Sequence, residues 1–86
     1  FLAFYNRANA YDGLKKFNEA LADYNSYFKY KNDSVQTGLM PEGYFLRGND
    51  KFITGDYEGA CKDWELAVQN GYTAANDSIV KNCKKQ

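Results

Sequence analysis

Apolar and aromatic residues recur along this chain at helical intervals. Phe4, Ala8 and Tyr11 fall at i, i+4 and i+7, and Phe17, Ala20, Leu21, Tyr24 and Phe28 resume the spacing after a break from Gly13 to Lys16. Each series predicts an amphipathic helix. Tyr44, Gly48 and Phe52 mark a third helix, with Pro41 suited to its first turn, and Tyr57, Ala60, Cys61, Trp64, Ala67 and Val68 form the most regular stripe, a fourth. Between those two, Gly55 is placed to end one helix and Asp56 to cap the next. A fifth helix is predicted after Gly71. Thr73 is its expected N-cap, with Ala75, Ile79, Val80 and Cys83 on the packing side and Asn76, Asp77, Lys81, Asn82 and Lys84 on the other. The pattern predicts an all-α fold of five helices.

The pattern also repeats. A shift of forty residues lays Arg7 on Arg47, Asn9 on Asn49, Ala20 on Ala60, Asp23 on Asp63 and Tyr24 on Trp64, while Ala8 meets Gly48. The chain is thus two copies of one supersecondary unit, which favours a stacked array over a catalytic globule. The first copy reads Phe4-x2-Arg7-Ala8-x2-Tyr11 and then Ala20-x3-Tyr24. The second reads Tyr44-x2-Arg47-Gly48-x2-Lys51 and then Ala60-x3-Trp64, with Gly55-Asp56-Tyr57 between its helices.

These residues resemble the tetratricopeptide repeat, whose pattern is W-x2-L-G-x2-Y followed by A-x3-F. The stretch Gly59-Ala60-Cys61-Lys62-Asp63-Trp64 with a Cys-bearing last helix is similar to the C-terminal end of certain bacterial tetratricopeptide proteins. The resemblance implies a right-handed superhelical stack of antiparallel helix pairs: repeat one at 1–34, an inter-repeat insertion at 35–40, repeat two at 41–72 and a capping helix at 73–86. Four departures stand out. The copies are forty residues apart rather than the family's 34. Tyr27 occupies a place where the family prefers a small residue, so it is expected to push the helices apart or send its hydroxyl to the surface. Lys51 replaces the aromatic that Tyr11 supplies, leaving Phe52 to take over part of the packing. Lys15 stands where the family has Gly, so the first turn must borrow Gly13 or strain Lys15.

The resemblance further implies a concave groove lined by the first helix of each repeat. Carried over by register, its partner-binding residues are Tyr5, Asn6, Asn9 and Asp12 in the first copy and Phe45, Asn49 and Phe52 in the second. Paired amides one repeat apart, each donating and accepting, suit the main chain of an unidentified peptide or partner protein. The alternatives are that Asn9 and Asn49 are solvated or satisfy other backbone, and that the segment is a structural C-terminal cap of a longer array with no ligand site of its own. A lysine clamp for acidic C-termini is not supported, since Glu42 and Leu46 stand where its basic pair is needed.

Composition narrows the chemistry. Lys and Arg balance Asp and Glu at net charge zero, which removes the basic footprint of nucleic-acid binding, and no apolar run reaches the roughly 18 residues of a membrane span. With no His there is no Ser-His-Asp or Cys-His system, and two Cys cannot build a four-ligand zinc site, so neither catalysis nor a cofactor is expected. Aromatic content of 17% raises glycan binding, but most of the rings fall on the packing stripes. Asn32-Asp33-Ser34 and Asn76-Asp77-Ser78 match the glycosylation triplet, which carries no weight without a secretory context. The chain begins at Phe1 without a Met and reads as a fragment or processed product, so either a cytoplasmic or a periplasmic address fits it. Phe1 and Leu2 start the first helix without a polar outer face, which predicts self-association there or an upstream helix that covers them.

Three side-chain pairings follow from hairpin geometry. Arg7 and Asp23 lie eight residues on either side of Lys15, and Arg47 and Asp63 stand in the same relation to Gly55. Equal distance from a turn means equal height in antiparallel helices, so an ion pair is predicted in each copy. Cys61 and Cys83 lie eleven residues on either side of Tyr72, which places the two sulfurs as neighbours. An oxidising compartment permits a disulfide there, whereas a reducing one keeps two thiols.

Overall fold

A computed structural model describes residues 2–32 and 41–83, with the side chains of 3–30 and 41–83. Among the described residues there are five helices: α1 (Leu2–Gly13), α2 (Phe17–Asn32), α3 (Pro41–Ile53), α4 (Tyr57–Gln69) and α5 (Ala75–Asn82). Among the described residues there is no strand. The chain divides into two compact units, Phe1–Leu39 and Met40–Gln86. In the first, α1 packs on α2; in the second, α4 packs on both α3 and α5. The insertion expected at 35–40, Phe1, the Leu2 side chain and Lys84 lie outside the described residues.

The same turn is used three times. After α1 the Lys15 N–H donates to Asp12 O and the Lys16 N–H to Tyr11 O; after α3, Asp56 N–H reaches Lys51 O; after α4, Gly71 N–H reaches Val68 O and Tyr72 N–H reaches Ala67 O. These bonds satisfy the carbonyls that a helix end leaves open, and they need a left-handed residue just past the end. Gly55 (φ 102°) and Gly71 (φ 106°) supply it without a Cβ penalty, while in the first turn Lys15 takes it at φ 61°. The first turn therefore strains Lys15 rather than borrowing Gly13. Lys15→Gly is expected to stabilise the first unit by about 1 kcal/mol, read by urea denaturation; a neutral or destabilising result would show the turn to be relaxed with lysine.

Helix starts are specified less evenly. Asp56 caps α4 by accepting the Gly59 N–H at 3.0 Å. Thr73, expected to cap α5, does not: the N-cap is Ala74, which has no side-chain cap bond, because turn bonds from Ala75 N–H to Tyr72 O and from Asn76 N–H to Thr73 O delay the helix start.

Each unit has its own core. In the first, Ala8 and Ala20 are fully buried with Tyr24 and Tyr27. The Tyr5 ring meets Tyr24 edge-on at 6.1 Å and Tyr27 at 5.1 Å, and Phe4 stacks on Tyr30 at 5.6 Å. Tyr27 does not send its hydroxyl to the surface; the oxygen is buried and the ring packs on Tyr5 and Phe28. In the second unit, Ala60, Trp64, Ala67 and Ala75 are buried. Phe52 packs on both Trp64 and Tyr57, and Phe45 on Tyr72. Val80, expected on the packing side of α5, is exposed. Tyr57, on the α4 stripe, is also exposed, at the first turn of its helix.

Candidate functional site

The best-defined side-chain constellation is an ion pair crossing each hairpin. Arg7 Nε and Nη2 donate to the two oxygens of Asp23 at 2.8 and 2.9 Å, and Arg47 Nε and Nη2 do the same to Asp63 at 2.8 and 2.8 Å. Both are bidentate forks, the strongest form of this contact. The Asp23 hydrogen bond, and then its charge, hold the Arg7 guanidinium above its ordinary pKa. The two bridges differ in setting: the Arg7 side chain is 61% exposed and that of Arg47 only 14%. They differ also in a second cation. Where the first copy has an aromatic, the Lys51 ammonium reaches Asp63 Oδ2 at 3.2 Å and gives the buried carboxylate a second cation. Arg47 also lies over the Tyr44 ring, 5.9 Å from its centroid.

Beside each bridge a buried aromatic finds a polar partner on the facing helix. The Trp64 indole N–H donates to Asn49 Oδ1 at 3.1 Å. In the first copy the Tyr24 hydroxyl lies 2.8 Å from Asn9 Oδ1 and 2.7 Å from Asp12 Oδ2. A phenol has a single proton, and the carboxylate is the stronger acceptor of it. The repeat thus places a ring with a donor against an amide in both copies. Such partners are usual for a buried Tyr or Trp.

These contacts redraw the expected groove set. Tyr5 is buried in the core of the first unit rather than presented to a partner. Asn9 and Asn49 hold Tyr24 and Trp64, Asp12 accepts from Tyr24, and Phe45 and Phe52 lie against Tyr72 and Trp64. Only Asn6 remains exposed without a partner in this network. The physical reason is that the hairpin must satisfy the polar ends of its buried aromatics, and the first helix of each copy is the nearest source of acceptors. The signal was in the sequence: Asn9 precedes Tyr24 by the same fifteen residues that separate Asn49 from Trp64.

Changing the amides to Ala should accordingly affect the two units unequally. Asn49→Ala strands the indole N–H of a residue 2% exposed and should cost about 1–3 kcal/mol. Asn9→Ala leaves the Tyr24 hydroxyl its bond to Asp12 and should stay within about 0.5 kcal/mol. Urea melts of the single variants check this, and equal losses would contradict it.

Cys61 and Cys83 form a disulfide with Cα atoms 5.8 Å apart. It ties α4 to the end of α5. Both cysteines line an open depression of about 420 Å³ together with Tyr57, Glu58, Glu65 and Asn82. Among the described residues, no group of three or more His, Cys, Asp or Glu side chains is placed to hold a metal ion, and no helix is long and apolar enough to cross a membrane. Comparison of the chain with protein-family models, curated proteins and solved structures finds no match in any of the three.

Proposed function

We propose that the chain is a tetratricopeptide-like scaffold for protein–protein association, its helix pairs belonging to a right-handed superhelical array and supplying shape and surface instead of reactive groups. One observation carries this reading. The same bidentate Arg–Asp fork and the same aromatic–amide contact occur in both hairpins at corresponding positions, so the repeated residues are devoted to fixing a hairpin of set geometry. Repetition of a rigid unit is what an extended recognition surface requires. Asn6 on α1, which is exposed, and Phe45 on α3, which is half-exposed beside Tyr72, are the members of the expected contact set offered to a partner.

A second reading, a structural closing segment with no ligand site, draws support from the commitment of Asn9 and Asn49 to Tyr24 and Trp64. Affinity capture on the immobilised 86-residue chain separates the two. Association through these residues predicts that an Asn6→Ala/Phe45→Ala variant loses captured proteins while keeping its helical content. Identical capture by parent and variant rejects the contact surface and leaves the structural reading.

A further inference from the structure

We infer that the Cys61–Cys83 bond is a thiol–disulfide exchange site, open to a dithiol reductant, whose reduction releases α5 from α4. Three observations converge on it. The first is how little else holds the helix. α5 has eight residues, follows an N-cap, Ala74, that offers no side-chain bond, and fully buries only Ala75, with Ser78 and Ile79 half-buried. Isolated helices shorter than about 12–15 residues are marginal in water, so α5 depends on its attachment. Asn76, Asp77, Val80, Lys81 and Asn82 are exposed, and the disulfide fixes the far end of the helix to α4.

The second observation is access. Cys61 and Cys83 are half-buried, and both lie in the wall of the open depression between α4 and α5. A buried structural disulfide is shielded from nucleophiles; this one opens onto a surface depression that a small thiol can enter. Exchange depends on access of the attacking thiolate as well as on its reactivity.

The third is charge. Glu58 and Glu65 lie three residues before and four after Cys61, on the same face of α4, and both line the depression. Among the described residues neither makes an ion pair, and both are exposed. Two exposed carboxylates in the wall of the depression oppose a thiolate that carries further negative charge, such as glutathione. They discriminate less against a dithiol bearing no other charge.

The exchange balances without a further reactant. A thiolate of the dithiol attacks one sulfur, the S–S bond breaks, and the other cysteine leaves as a thiolate that takes a proton. The second thiol of the reductant then displaces the first cysteine from the mixed disulfide. The reductant ends as a disulfide, and Cys61 and Cys83 end as thiols.

The test is to treat the 86-residue chain with dithiothreitol in native buffer, trap free thiols by alkylation, and follow amide hydrogen exchange by mass spectrometry. Both cysteines should be alkylated without denaturant, with protection lost across 76–83 and retained in α3 and the middle of α4. A bond that resists dithiothreitol until the chain is unfolded, or a reduced chain with α5 still protected, overturns the inference. Glu58→Gln/Glu65→Gln should accelerate reduction by glutathione several-fold more than by dithiothreitol, and high salt should erase the difference. Equal acceleration of both would remove the assigned preference for an uncharged dithiol.

Discussion

Asp63→Ala is expected to destabilise the second unit by about 3–5 kcal/mol, the range for breaking a buried ion pair by removal of one partner. Asp63 is 2% exposed and accepts from Arg47 Nε and Nη2, with the Lys51 ammonium at 3.2 Å. Its removal leaves two cations facing each other in the interior of the hairpin. The Tyr44 ring beneath Arg47 offsets little of that, because a cation–π contact at a partly exposed site contributes only about 0.5–1 kcal/mol. The equivalent change in the first copy, Asp23→Ala, should cost less, since the exposed Arg7 can turn into water when its carboxylate is gone. Urea denaturation of the two variants, with far-ultraviolet circular dichroism to follow the helices, reads the contrast. An Asp63→Ala variant within about 0.5 kcal/mol of the parent would mean that the triad does not hold α3 to α4.

The asymmetry between the bridges marks a limit of reading the sequence. Equal spacing from the turn placed both pairs at the same height, because the rise per residue is shared by every helix. Spacing carries no information about what lies outside the hairpin, so it could not tell a 61% exposed guanidinium from one at 14%. Periodicity located all five helices, and the Gly-bearing turns are where glycine's access to positive φ places them. Thr73 is not the cap, because side-chain chemistry alone does not show that turn bonds from the Ala75 and Asn76 N–H groups to the Tyr72 and Thr73 carbonyls carry the chain on to Ala74. The intramolecular contacts of the expected groove set were hidden for a different reason. Register within a repeat does not reveal that Trp64 and Tyr24 draw on Asn49, Asn9 and Asp12 for hydrogen bonds.

What the two copies change together is as informative as what they share. The buried ring is Tyr24 in one and Trp64 in the other; at a shift of forty residues Ala8 corresponds to Gly48 and Asp12 to Phe52. The phenol needs an acceptor for its proton and has Asp12; the indole, satisfied by Asn49, has instead the Phe52 ring at 5.7 Å. Each hairpin is internally consistent, and mixing their parts should not be.

That consistency yields a change of sign. Trp64→Ala should cost about 3–5 kcal/mol, as expected for emptying a site whose ring is 2% exposed and packed on Phe52. Gly48→Ala should by itself also destabilise, by about 1–3 kcal/mol, because a Cβ at Gly48 would sit 2.8 Å from Trp64 Cδ1 and Nε1 and 3.1 Å from the Ala60 carbonyl oxygen. In the Trp64→Ala background most of that obstruction is gone. There Gly48→Ala should stabilise by up to about 1 kcal/mol, since alanine is the better helix former by roughly that amount. The first copy has Ala8 and the smaller Tyr24 at the corresponding positions, both fully buried. A double-mutant cycle measured by urea denaturation isolates the coupling between positions 48 and 64. If Gly48→Ala has the same effect in both backgrounds, the indole is not what excludes a side chain there, and the close approach of α3 to α4 has to be assigned to the Ala60 carbonyl.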